Sequence, residues 1–187
     1  MATAKFLHEA GSLKLVKRSG WWVAGVRNPE SVAEHSQRAA LIAFVLARME
    51  GKTRNEALEY AFALLIHDLP EARLLDLHKV SQRYLNAKKA EAKVKREQLA
   101  LLPTPLRKDF EDVAKRYDSP LGRDADLLEC AFQAKEYEEQ GFKQAFDWSR
   151  RVKRVLKTKS AKTLFREMRR GSSAWWLKLK KKLSEER

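Results

Sequence analysis

Apolar residues recur three and four positions apart along most of the chain, the period of an amphipathic helix rather than the alternation of a strand. One run holds Leu41, Phe44, Val45 and Ala47 and closes near Gly51. A second holds Leu58, Ala61, Leu64 and Leu65 and breaks at Leu69-Pro70, where proline removes a helical donor. Each run follows capping-box spacing, Ser31-x-x-Glu34 and Thr53-x-x-Glu56, in which each side chain satisfies a free backbone donor at the other's end. Thr104-Pro105 and Ser119-Pro120 read as a cap followed by proline at the first helical position. They predict helices over 105–117 and 120–140, the latter ending at Gly141. Residues 82–101, 143–157, 161–170 and 173–184 complete the helical pattern. No strand alternation, hairpin turn or internal repeat is found. The expected fold is all-α, a single-domain bundle of roughly seven to nine helices, which builds metal sites from side chains on facing helices.

Length and composition narrow this picture. At 187 residues the chain fits one domain, or one domain with an extension. The expected division is a bundle over 1–149 and a basic helical extension over 150–187, packed on the same domain. The single Cys130 excludes an internal disulfide and a cysteine-built zinc site, and within "LLECAFQAK" it reads as a small buried hydrophobe. No apolar run approaches the ~18 residues of a membrane span. The N-terminus lacks the apolar stretch and cleavage site of a signal peptide, so the expected location is the cytoplasm. The net charge of +14 is unevenly spread. Residues 150–187 hold fifteen Lys and Arg against three Glu, so +12 of the total belongs to the C-terminal end.

The candidate chemistry lies in "LLIHDLPEARLLDLHK" (64–79), where an apolar run meets His67-Asp68, followed by Glu71, Asp76 and His78. His35 falls in the first turn after the Ser31 cap, and Asp124 and Asp126 fall early in a later helix. Imidazole with carboxylate suits Zn, Mn, Fe, Co or Ni, and such a metal lowers the pKa of bound water and neutralises charge on a phosphoryl group. Glu71, four residues after His67, would orient or deprotonate the attacking water. The plainer readings stay open on spacing alone. A single histidine is more often structural than a ligand, and Asp68-x-x-Glu71 also matches a capping box for a new helix at Pro70.

"KRSGWWVAGVRNPESVAEHS" (17–36), "ALLIHDLPEARLLDL" (63–77) and "DADLLE" (124–129) occur in that order. Together they resemble the HD-domain metal-dependent phosphohydrolases, the 5′-deoxynucleotidase-like branch in particular, over about residues 11–145. The resemblance implies one divalent metal on His35, His67, Asp68 and Asp126, with Asp126 favoured over Asp124, and a homodimer. It also places Glu71 and Asp76 in the catalytic pocket and Arg18 and Trp21 at its mouth, for phosphate and nucleotide. Arg suits phosphate because its planar fork grips two oxygens. Taken alone, Arg18 reads as a solvated charge and Trp21 and Trp22 as core. One departure stands out: the family often has Gly before the residue matching Asp76, and this chain has Leu75. His78 reads as an exposed loop residue before a substrate contact or a donor supporting the site, and His8 reads as exposed.

The implied activity is hydrolysis of a phosphate monoester, a deoxynucleoside 5′-monophosphate before other nucleotides such as nucleoside triphosphates, cyclic nucleotides or (p)ppGpp. A rival from another class is a non-catalytic nucleic-acid-binding protein using the basic end. In that end Trp175, Trp176, Leu177, Leu179 and Leu183 lie beside Lys178 and Lys180–Lys182. A terminal helix docked on the bundle or on a dimer partner is expected, because adjacent tryptophans are costly to leave exposed. A nucleic-acid patch and an interfacial membrane helix are the alternatives.

Overall fold

The computed structural model describes residues 2–177 and 179. Its helices are α1 (Ala2–Gly11), α2 (Gly20–Val23), α3 (Val32–Met49), α4 (Arg54–Ile66) and α5 (Glu71–Leu74). They continue as α6 (Ala87–Leu99), α7 (Thr104–Ala114), α8 (Pro120–Glu139), α9 (Phe146–Val155) and α10 (Lys159–Arg170). Among the described residues the only strand-like feature is an isolated antiparallel bridge between Lys17 and Ser31. The described residues form the expected all-α bundle; α2 and α5 are single turns of four residues, too short to show a period.

Both capping boxes form, Ser31 with Glu34 and Thr53 with Glu56. They start α3 and α4, and the short loop between these helices turns through Gly51 at φ 76°. Leu46, Leu64 and Leu128 are fully buried where α3, α4 and α8 meet. Val152 and Leu156 from α9 and its exit, with Phe165 and Met168 from α10, join the same core. Ser119 caps α8 by accepting the Gly122 amide, and the helix is followed by Gly141 at φ 101°. α1 packs at the other end, with Phe6 edge-on to Phe110 at 5.4 Å.

Several boundaries differ from the sequence pattern. Thr104 does not cap α7. The Pro103 carbonyl accepts the Arg107 amide at 2.9 Å, which starts the helix one residue early and leaves the Thr104 hydroxyl unused. α6 starts at Ala87 rather than 82, because Asn86 caps it through the Lys89 amide. α7 tightens into a 3-10 turn over Lys115–Asp118, and α9 is preceded by another over Lys143–Ala145. Half of the expected helix over 173–184, residues 178 and 180–184, lies outside the described residues. Of its described part, Trp175 is 67% and Trp176 51% exposed, with Leu177 and Leu179 exposed beside them. Among the described residues these side chains are not covered by the bundle. Glu139 at the end of α8 holds Ser173 by its amide and hydroxyl.

Candidate metal centre

Three helix ends and one short bridge assemble the centre. The Ser31 cap fixes the first turn of α3 and with it His35. The backbone pairing of Arg18 with Glu30 (3.0 Å) and Val32 with Val16 (2.8 Å) lays Arg18 alongside that turn. His67 ends α4, and Asp68 follows in the turn before Pro70. α5 starts at Glu71 with no side-chain cap. The Asp68 carboxylate is therefore not spent on a capping box. Asp126 comes from the second turn of α8.

The four groups converge. His67 Nε2 lies 3.1 Å from Asp68 Oδ2 and 3.9 Å from Asp126 Oδ1. His35 Nε2 lies 3.3 Å from Asp126 Oδ1 and 3.7 Å from Asp68 Oδ2. Donors arranged around one ion at ~2.1 Å sit roughly 3–4 Å apart, which is this spacing. Asp124, two residues before Asp126, faces the other way: it accepts from the Lys157 and Thr158 amides and the Thr158 hydroxyl, and so secures the start of α10.

Both imidazoles are aimed by their other nitrogen. His67 Nδ1 is 2.7 Å from the Leu64 carbonyl, and His35 Nδ1 meets the fully buried Glu129 carboxylate. Arg38 grips Glu129 through Nε at 3.0 Å and Nη2 at 2.8 Å, and continues to Gln133 and Glu136. Tyr117 donates to Asp126 Oδ2 at 2.9 Å. Partners of this kind fix which nitrogen of a ligating histidine is presented. Glu129, Arg38 and Tyr117 were missed from the sequence. The signal for two of them was present, because Arg38 lies three residues after His35 and Glu129 three after Asp126, one helical turn each.

Beside the cluster, Arg18 donates to Asp76 at 2.9 Å and approaches Asp68 at 3.5 Å. It is mostly buried rather than solvated. Asp76 is fully engaged: Oδ1 by Arg18, and Oδ2 by the Ser19 amide at 2.6 Å and hydroxyl at 2.8 Å. Cys130, read as a mere space-filler, lies 3.5 Å from the Arg18 guanidinium and shares a donor cluster with His35 and Asp126. Trp21 is not at the mouth. It is 3% exposed, donates to Glu30 at 2.9 Å, and packs edge-on against Tyr137. Trp22, read as core, is the exposed member of the pair at 53%. His8 is exposed, whereas His78 is half-buried and accepts from the Ser81 amide at 3.3 Å.

The charges of the pocket act strongly on one another. Burial alone would raise Asp126 and Asp68, yet the neighbouring histidines and Arg18 hold both below the usual carboxylate range. Burial and Arg18 oppose charge on His35, but Glu129 and Asp126 outweigh them and raise it to about 10. Burial, then the Asp68 and Asp76 carboxylates, push Glu71 up to about 10. Among the described residues, the buried side-chain atoms without a hydrogen-bond partner are His35 Nε2, Asp68 Oδ2, Glu71 Oε2 and Ser36 Oγ. Three of these four belong to the centre. Buried polar atoms are rarely left unpaired, so mixed imidazole and carboxylate donors with orphaned lone pairs fit a divalent transition metal.

Donors of this type beside a guanidinium and a buried carboxylate define a class, the metal-dependent phosphohydrolases built on an all-α bundle. Comparison with known proteins identifies the family. The HD domain family model matches residues 10–168, and the chain belongs to that family. The 5′-deoxynucleotidase HDDC2 of Danio rerio is 33% identical over 147 residues, covering 72% of this chain and 69% of the relative. A structural-genomics crystal structure is 45% identical with a TM-score of 0.80, covering 94% of this chain and 98% of its own. A predicted coding region from Archaeoglobus fulgidus is 40% identical with a TM-score of 0.66, covering 94% and 99%.

Proposed function

We propose that this phosphohydrolase converts deoxynucleoside 5′-monophosphates to nucleoside and phosphate. The observation that carries the reading is the convergence of His35, His67, Asp68 and Asp126 donor atoms within 3.1–3.9 Å, beside Arg18. The name of the Danio rerio relative supports the substrate class.

In this reading His35, His67, Asp68 and Asp126 would hold one divalent ion, which would lower the pKa of water and neutralise charge at the phosphate. Arg18 grips the phosphate oxygens with its planar fork. Glu71 orients the attacking water and accepts its proton. Burial, then the Asp68 and Asp76 carboxylates, raise Glu71 to about 10, and a divalent charge held by the cluster would favour its ionised form. The water oxygen bonds to phosphorus, the bond from phosphorus to the 5′-oxygen breaks, and that oxygen takes a proton from solvent to leave as the nucleoside hydroxyl, balancing the proton that Glu71 accepts and then releases. Asp76, with both oxygens engaged, serves to aim Arg18 rather than to donate that proton.

A phosphate-release panel over deoxy and ribo mono-, di- and triphosphates, with different added metals, tests the reading. Release is expected chiefly from the deoxy monophosphates; release confined to triphosphates, or none with any metal, overturns it. Glu71→Gln should keep metal and substrate but lose on the order of 10²–10⁴ in turnover. Near-normal turnover would remove Glu71 from the chemistry.

We further propose a cytoplasmic homodimer in which residues 1–149 and the basic end belong to one domain. A core shared by α3, α4, α8, α9 and α10 supports the single domain. Exposed Leu41, Val45 and Met49 on α3, with Leu58 and Leu65 on α4, offer an apolar face to a second copy. A solution mass of one chain at all concentrations would remove the dimer. No helix among the described residues is long and apolar enough to cross a membrane.

A further inference from the structure

We propose that the outer face of α9 and α10, with the Trp175–Trp176 pair, is a docking surface for an anionic lipid membrane. On α10 the exposed cations Lys159, Lys162, Arg166 and Arg170 recur at helical spacing along one face, and α9 adds exposed Arg151 and Arg154. None of the six has an acidic partner among the described residues; in this region the ion pairs are Arg150–Asp147 and Arg169–Glu138. The opposite faces are anchored by Val152 on α9 and by Phe165 and Met168 on α10, so the cations are held outward on fixed helices.

Where α10 ends, the surface becomes apolar. Trp175 and Trp176 are 67% and 51% exposed and meet edge-on at 6.1 Å. Leu177 and Leu179, exposed at 59% and 53%, continue the patch. Four large apolar side chains within five residues are costly to leave in water on a soluble chain. Cations flanking Trp and Leu match an interfacial element, in which the apolar groups enter the boundary of the acyl chains and the cations meet anionic headgroups. A single-stranded nucleic acid would use the cations and stack bases on the tryptophans, but it offers nothing to two exposed leucines. A second copy of a chain with net charge +14 lacks the complementary charge, and the apolar stripes of α3 and α4 suit it better.

The test mixes the full chain with phosphatidylcholine vesicles, with or without phosphatidylglycerol, and follows sedimentation and quenching of tryptophan fluorescence by brominated lipid. Binding is expected only with phosphatidylglycerol, weakening as salt rises. Lys159→Gln, Lys162→Gln and Arg166→Gln together should lower partition about a hundredfold, each cation near the surface adding its share. Trp175→Ala with Trp176→Ala should abolish quenching. Both variants should retain phosphate release, which shows that they fold. Failure to bind phosphatidylglycerol vesicles, or binding unchanged in both variants, overturns the proposal. Preference for a single-stranded oligonucleotide, or self-association lost in the same variants, assigns the surface to another partner and equally overturns it.

Discussion

His35 and Glu129 show how single residues set the behaviour of this centre. The Glu129 carboxylate meets His35 Nδ1 in full burial; against that burial His35, then Arg38, keeps it ionised, and Arg38 orients it. His35 then presents Nε2 to the cluster. Glu129→Gln preserves size but removes the charge that holds His35. Metal affinity should fall roughly 10–100-fold. A second readout separates positioning from packing. Burial and Arg18 work against the proton on His35, and Glu129 with Asp126 raises it to about 10, so metal competes with that proton and wild-type affinity rises with pH. In Glu129→Gln the proton is held less firmly and the slope over the neutral range should flatten. Metal titrations at several pH values check both; an unchanged slope would reduce Glu129 to packing. The ligand-type residues were legible because His, Asp and Glu cluster within named motifs. Their supports were not, since Arg38 and Tyr117 are common surface types and only the fold brings them onto Glu129 and Asp126.

At the level of elements, the caps explain what could be read and what could not. Ser31, Thr53 and Ser119 each satisfy a local donor, so the starts of α3, α4 and α8 were visible in sequence. Thr104 had the same appearance, but the Pro103 carbonyl already provided the first helical bond. Asn86 decided the start of α6 inside a run whose polarity carried no boundary. The turn after α5 is the sharpest case. Leu75 sits at φ 63° and ψ 167°, a region that only glycine enters without strain. That gives a physical reason for glycine at this place in the family. The strained turn delivers Asp76 to Arg18 and Ser19. Leu75 is also 63% exposed, so its side chain adds little packing. Leu75→Gly should stabilise the fold by about 1 kcal/mol, strain relief exceeding the entropic cost of glycine. A lower Tm in thermal unfolding would contradict this.

On the scale of the whole molecule, the fold delivers distant parts of the sequence to one point and leaves Trp175 and Trp176 exposed. Trp21 and the terminal tryptophans show why sequence could not finish the picture. Trp21 belongs to a motif but serves the core, whereas Trp175 and Trp176 have core composition but lie exposed. Burial of an aromatic depends on where the chain path leaves it, which periodicity does not encode. The central claim is that one four-donor centre, completed by Asp126 and not Asp124, holds the divalent ion that the hydrolysis requires. Metal content per chain in Asp126→Asn and Asp124→Asn tests it most directly. Asp126 Oδ1 lies 3.3 Å from His35 Nε2, while Asp124 is spent on the amides that begin α10. Asp124→Asn should therefore keep one ion per chain and lose only stability, and Asp126→Asn should lose the ion while remaining helical. Full metal content in Asp126→Asn would contradict the account.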